Sequence, residues 1–358
     1  MEKGMTVSLC MIAYNEESVL NGLFRDFMMQ SYPHDRIEIV LVDAKSTDKT
    51  VEMMEEFKDC DYGFKDVQIL TSEKRVQSAC WNTALSAAKG DIIIRVDAHA
   101  HIPKHFVSRC VTHILEGEDI VGGGRPNITD HETPWRMTLL TAEESLFGSS
   151  IASYRHPPAK KEYHNSLFHA AYRREVFAKV GGFNEDLGRT EDNELHYRMR
   201  KAGYKLCSFP DIYSFQHTRN TLKGMIKQKY GNGYWIGLTT GVCFDCLSYY
   251  HFVPFIFMLA MIACIVLAFC GQSYPLITLL SLYFIFDMVN TVSCFLTKKF
   301  YPQFFLLPFI FPILHFSYGI GTIVGLIKMP FWKHKLNGEA QKHIENVKKD
   351  IIDNTEFM

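Results

Sequence analysis

Between His251 and Ile327 the chain carries only three charged side chains, Asp287, Lys298 and Lys299, although Asp, Glu, Lys and Arg make up 22% of the sequence. No other feature narrows the possible folds as much. The segment divides into three apolar stretches at about 252–270, 274–297 and 304–327, and the third is uncharged but interrupted by Pro308 and Pro312. A run of about 20 apolar residues spans the ~30 Å hydrocarbon layer of a bilayer. Three such runs in series predict two to three transmembrane segments within residues 251–327, followed by a charged tail over 328–358. Lys298-Lys299 and Lys328, Lys333 and Lys335 flank the third stretch. Basic flanks favour the cytoplasmic side. Two full crossings and a proline-kinked third stretch that enters and returns would satisfy both clusters.

The first 240 residues read differently. The whole chain balances 38 Lys+Arg against 39 Asp+Glu, so its net charge favours no nucleic-acid partner. Apolar strand formers at Thr6–Ala13, Ile37–Val42, Val67–Leu70 and Asp91–Val96 alternate with helical periodicities at Ser18–Met29, Lys49–Phe57 and Val76–Ala88. Strands alternating with helices predict a doubly wound, mostly parallel α/β sheet. Thr47 is expected to cap the second helix, and Gly122-Gly123-Gly124 to mark a turn. Arg174–Val180 and Glu191–Ala202 are further helices. The ten cysteines are scattered, and Cys243-Phe-Asp-Cys246 lacks the second ligand pair that a zinc site needs. Unpaired thiols and the absence of a secretory signal pattern predict a cytoplasmic location for this part.

In such sheets ligands bind at the carboxyl ends of the strands. Polar clusters gather there: Tyr14-Asn15-Glu16 after the first strand, Asp43 to Thr50 after the second and Asp97-Ala98-His99 after the fourth, with Thr190-Glu191-Asp192 opening a helix. Each alone could be a helix cap or a turn. Together they are the pattern of a site.

The sequences Val7–Glu16, Val42–Thr50, Ile94–Ala100, Gly181-Gly182-Phe183 and Thr190-Glu191-Asp192 resemble the GT-A domain of family 2 inverting glycosyltransferases, over roughly residues 5–240. Arg95-Val96-Asp97-Ala98-His99-Ala100 followed by apolar C-terminal segments is similar to bacterial succinoglycan-type exopolysaccharide glycosyltransferases. The resemblance implies a GT-A fold, Rossmann-like, followed by transmembrane helices. It also implies a nucleotide-sugar donor, with a UDP-sugar expected, and a divalent cation, Mn²⁺ or Mg²⁺. Nucleotide binding falls on Ala13, Tyr14, Glu16, Asp43, Ser46, Arg75 and Asp97. Metal ligation falls on Asp97, on His99 where the family has a second Asp, and on His217. Imidazole at that position suits Mn²⁺ better than Mg²⁺. Inversion in one displacement needs one general base. The resemblance assigns that role to Asp192, with Glu191 orienting the acceptor or tuning the base. His169 is expected to line the acceptor pocket.

Arg219, Lys223 and Lys227 recur every four residues and share a helix face. With Tyr230, Tyr234 and Trp235 they predict an interfacial helix near 219–235. Processive polysaccharide synthases carry Gln-x-x-Arg-Trp in this region, which Lys227–Trp235 does not reproduce. The expected activity is transfer of one sugar to a polyprenyl-linked saccharide during polysaccharide synthesis. The enzyme would be a multi-pass protein of the inner membrane with its catalytic domain in the cytoplasm. The alternatives are a processive synthase and a catalytically inactive membrane scaffold.

Overall fold

The computed structural model describes residues 4–129, 131–148 and 157–356, the side chains of 355 and 356 excepted. The chain separates into two units. One comprises Met1–Pro126, Tyr154–Gln216 and Leu336–Met358, and the other Asn127–Ser153 and His217–Lys335.

The first unit is built on strands β1 (Val7–Ala13), β2 (Ile37–Asp43), β3 (Asp66–Thr71), β4 (Ile92–Asp97), β6 (Ile120–Gly124), β8 (Glu162–His164), β9 (Ala171–Arg173) and β10 (Leu206–Tyr213), with the two-residue β5 (Ala100–His101) outside the main sheet. Their order is β3-β2-β1-β4-β9-β6-β10-β8. Strand β1 runs parallel to β2 and β4, β2 to β3, and β6 to β10, whereas β9 is antiparallel to β4 and β6. Ile93 of β4 faces one core cluster and Ile92, Ile94 and Val96 the other. The two-residue period of a strand produces that alternation. Helices α1 (Leu20–Met28), α2 (Thr50–Asp59) and α4 (Phe106–Leu115) cover one face. Helices α3 (Gln77–Ala87), α6 (Arg174–Val180), α7 (Glu191–Lys201) and α12 (Glu339–Glu356) cover the other.

Two local expectations change. Gly122-Gly123-Gly124 is not a turn but part of β6, deep in the sheet. A Cβ at Gly123 would collide with the carbonyl of Ile212 on β10, so the glycines permit close strand approach. Thr47 does not cap α2; the carboxylate of Asp48 accepts the Thr50 N–H at 3.0 Å instead.

Helix α12 occupies the stretch expected as a charged tail. Ala340, Ile344, Val347 and Ile351 form an apolar stripe, all at most 5% exposed, that packs against α3 and α6. The Gly182 N–H donates to Ile344 O at 3.2 Å, and Asn354 Nδ2 donates to Ser86 O at 2.9 Å. The units therefore do not follow the expected boundaries at 240 and 328.

The second unit contains the two-residue β7 (Asn127–Ile128) and helices α5 (Pro134–Glu144), α8 (Leu222–Thr239), α9 (Val253–Phe269), α10 (Tyr274–Thr297) and α11 (Leu307–Lys333). Three segments are long and apolar enough to cross a membrane: Tyr249–Phe269, Tyr274–Thr297 and Pro302–Lys333. Helices α8 and α11 meet along glycines spaced four apart, Gly233 and Gly237 on one and Gly321 and Gly325 on the other. A Cβ on any of them would fall within 2.6 Å of the partner helix's backbone. Small residues at this spacing let helix backbones pack closely in membranes. Lys223 and Lys227 of α8 are exposed, whereas Lys229 is buried and pairs with Glu143 of α5 at 2.8 Å.

Candidate active site

The strand register brings the polar clusters to one sheet edge: Ala13 lies opposite Asp43, and Ile12 opposite Asp97. Just beyond, Asn15 and Lys45 adopt left-handed backbone angles, φ +55° and +61°. Non-glycine residues rarely do so, and such conformations gather at functional loops. A lattice of hydrogen bonds holds them. Ser46 N–H donates to Asp43 Oδ2 at 3.0 Å, Asn15 N–H donates to Ser46 Oγ at 2.9 Å, and Thr47 N–H donates to Asn15 Oδ1 at 2.8 Å. Glu16 N–H donates to Thr50 Oγ1 at 2.8 Å. The Arg75 guanidinium lies 5.5 Å from the centre of the Tyr14 ring and donates to Lys45 O at 3.1 Å. The structure therefore gathers Ala13, Tyr14, Glu16, Asp43, Ser46 and Arg75 around one rim. Lys74 points elsewhere, to Glu185 at 2.7 Å and to His343 of α12 at 3.3 Å.

A second pocket is lined by Trp81, Arg95, Asp97, Phe168, His169 and Asp192. Burial opposes ionisation of Asp97, but the His169 and His99 imidazoles and the Arg95 guanidinium outweigh it and hold the carboxyl well below the usual carboxylate range. The Asp97 N–H donates to His169 Nε2 at 3.3 Å, and Nδ1 of the same ring lies 2.8 Å from Ser214 Oγ. Burial pushes the His169 pKa down, against the pull of Asp97.

Glu191 and Asp192 open α7, where the positive end of the helix favours carboxylates. They differ in access. Glu191 is 3% exposed, and its Oε2 has no hydrogen-bond partner among the described residues. Burial first, and then the charge of Asp192, push its pKa up to about 8. The Asp192 side chain is 25% exposed and accepts a bond from Arg95 Nη1 at 2.7 Å. Helix α7 is pinned from below by His196, whose Nδ1 meets Ser166 Oγ at 2.9 Å and whose Nε2 meets the Tyr172 hydroxyl at 2.8 Å. Burial lowers that imidazole to about 4 and keeps it neutral.

Among the described residues no three His, Cys, Asp or Glu side chains converge as a metal cage. Asp97 offers an anionic oxygen, with the His99 imidazole close enough to affect its charge. That open set fits a hard divalent ion that takes its remaining ligands from a bound diphosphate. His99 itself is held between Glu16 Oε1 at 3.3 Å and Gln216 Nε2 at 2.9 Å. His217 ends strand β11 (Phe215–His217) and opens the second unit. The Cys246 thiol donates to Cys243 O at 3.0 Å.

Arg95 and Trp81 were not singled out from the sequence. The signal for Arg95 was visible: it is a charge in a strand that is otherwise apolar up to its terminal Asp97, two residues further on and on the same face.

The glycosyl transferase family 2 profile matches residues 8–181. A Methanococcus voltae protein named dolichyl N-acetyl-alpha-D-glucosaminyl phosphate 3-beta-D-2,3-diacetamido-2,3-dideoxy-beta-D-glucuronosyltransferase is 27% identical over 90% of this chain and 97% of its own. Succinoglycan biosynthesis protein ExoA of Rhizobium meliloti is 29% identical over 64% of this chain and 68% of its own. Among solved structures, the mannosyltransferase PcManGT of Pyrobaculum calidifontis, in complex with GDP-Man and Mn²⁺, shares the fold at a TM-score of 0.53, with 16% identity over 92% of this chain and 88% of that one. Residues 8–181 carry a glycosyl transferase family 2 domain, and the chain is a glycosyltransferase with the GT-A fold.

Proposed function

We propose that the chain is a membrane-anchored, metal-dependent inverting transferase that moves one sugar from a nucleotide diphosphate sugar to a polyprenyl-linked saccharide at the cytoplasmic leaflet of the inner membrane. The observation that carries this reading is the pocket that holds a buried anion, Asp97, beside an accessible carboxylate, Asp192.

Asp192 is the general base. Its accessible carboxylate takes the proton of the acceptor hydroxyl as that oxygen attacks the anomeric carbon from the face opposite the departing diphosphate. Burial pushes the Glu191 carboxyl towards its protonated form and leaves Asp192 as the accessible member of the pair. Tyr14 and Arg75 hold the nucleoside, Asp43 and Ser46 shape its rim, and Glu16 fixes His99. Asp97 would hold the cation, and His99 would join it through the Nε2 that Gln216 now occupies. When bound, a divalent ion offsets the charge developing on the leaving diphosphate.

The membrane part suits an acceptor whose tail stays in the bilayer, as the relatives' names imply for a dolichyl phosphate acceptor. Residues 4–126 and helix α12 belong to one unit, so the chain crosses the bilayer an even number of times between them. Helices α9 and α10 supply two crossings. Segment Pro302–Lys333, with Pro312 and Pro330 inside its helix, then enters and returns or lies at the interface. Its basic end, Lys328, Lys333 and Lys335, stays on the cytoplasmic side.

The test is donor turnover by detergent-purified protein across UDP-, GDP- and dTDP-sugars, with and without Mn²⁺, with a polyprenyl-linked acceptor present. Metal-dependent turnover of one donor, a single added sugar, and a fall in turnover of about 10²–10⁴-fold in Asp192→Asn, with a residual rate still measurable, support the reading. Long products would point to processive synthesis instead. No turnover and no metal-dependent nucleotide binding would sink it.

A further inference from the structure

We propose that Arg95 is a positioning residue for the reaction: its guanidinium fixes the Asp192 carboxylate by one oxygen so that the other faces the acceptor hydroxyl. The proposal rests on the reading of Asp192 as the base.

Arg95 is 5% exposed, and few arginines are buried that deeply without a specific partner. Two aromatic rings pack on its guanidinium: the Trp81 ring of α3 is centred 4.3 Å from its carbon and the Phe183 ring 4.5 Å from it. Arginine planes stack well on aromatic rings. The two rings are themselves fixed. Trp81 is fully buried, and Asn82, its neighbour on α3, holds the Phe183 backbone from both sides, donating to Phe183 O at 3.0 Å and accepting its N–H at 2.6 Å. The guanidinium is therefore held by packing against rings that are themselves fixed.

Nη1 of this group meets Asp192 Oδ1 at 2.7 Å, and the Tyr172 hydroxyl lies beside the guanidinium. Tyr172 in turn bonds His196 on the same helix as Asp192. Strand β4 and helix α7 are thus joined twice, once at the base and once a turn below it. A charge-assisted bond of this length to a rigid donor fixes a carboxylate's rotation. Asp192 Oδ2 makes no hydrogen bond among the described residues, so it is the oxygen left for the acceptor. The Arg95 guanidinium also offsets the nearby negative charge of Asp97.

The experiment is a double-mutant cycle on the full chain in detergent, comparing native protein, Arg95→Met, Asp192→Asn and the double variant. It measures kcat and donor KM with the donor that the panel identifies, and binding of UDP and GDP with Mn²⁺ by calorimetry. Arg95→Met is expected to lower kcat by roughly 100-fold, the order expected when a reacting group is misplaced by about 1 Å, while KM and nucleotide binding move by less than about threefold. In the Asp192→Asn background the same change is expected to cost almost nothing, because the residue it positions has lost its function. Equal losses in both backgrounds, an effect on KM alone, or native kcat in Arg95→Met would overturn the proposal. Native activity in Asp192→Asn would instead overturn the reading of the base. If Arg95→Met fails to bind nucleotide, Arg95→Lys decides in its place: it retains the charge but not the fork, so a kcat loss of about tenfold that again vanishes in Asp192→Asn supports positioning, and an additive loss refutes it.

Discussion

Glu191 carries its carboxyl into the protein without a partner for Oε2, and that predicts how stability follows pH. Its folded pKa is about 8, against 4.5 for the exposed side chain. Below pH 4.5 the group is protonated in both states, and its contribution to stability is fully present. As pH rises the unfolded chain releases the proton first, so stability is lost between pH 4.5 and 8. The gap of about 3.5 pH units, at ~1.36 kcal/mol each, amounts to about 5 kcal/mol. Glu191→Gln mimics the protonated side chain at every pH and removes this dependence. The variant should match the native protein near pH 4.5 and exceed it increasingly towards pH 8. With about 2–4 °C per kcal/mol for a unit of this size, the difference in unfolding midpoint should widen by on the order of 10 °C. Thermal unfolding of both proteins in one detergent, scanned in steps from pH 5 to pH 8, measures it. Parallel curves would mean that Glu191 ionises in the folded protein as readily as in the unfolded one, and the account of its burial would be wrong.

Other outcomes follow from single contacts. Ile351→Ala empties a fully buried position under α12 and should cost about 2–5 kcal/mol, read as a lower unfolding midpoint of the catalytic unit. Lys229→Met strands Glu143 without its counter-ion and should destabilise by about 3–5 kcal/mol, while Lys227→Met, exposed on the same helix, should change little; chemical denaturation in detergent compares them. Asp97→Asn should abolish the Mn²⁺-stimulated part of UDP or GDP binding while the unfolding midpoint stays within a few degrees of native. Native Cys60, exposed, and a cysteine placed at exposed Gln341 in a background lacking Cys60, both without exposed Cys270, should label from the same side of the membrane with an impermeant reagent; labelling from opposite sides would contradict an even number of crossings.

Much of the sheet was readable because its strands are short apolar runs ending at or next to Asp or Asn, and because α1 and α2 carry clear 3.6-residue periodicity. The polar rim was readable for the same reason: residues at strand ends are adjacent in sequence to the signal that locates them. What escaped depends on contacts between distant segments. β6 looked like a turn because three glycines in a row signal chain reversal, yet here they admit β10 at close range. Helix α12 looked like a solvated tail because charge dominates its composition, although Ala340, Ile344, Val347 and Ile351 recur at helical spacing. The role of Arg95 needed Trp81, Phe183 and Asp192 brought together from three elements, and no local pattern announces that.

Helix α12 follows the three long apolar segments in the chain. The catalytic sheet is therefore synthesised first, but its α3–α6 face stays uncovered until those segments have been made. Val347 and Ile351 then seal a surface that has been waiting since residue 180. Folding of the catalytic unit is in this way tied to synthesis of the apolar segments, and a chain stalled within them would leave an apolar face exposed.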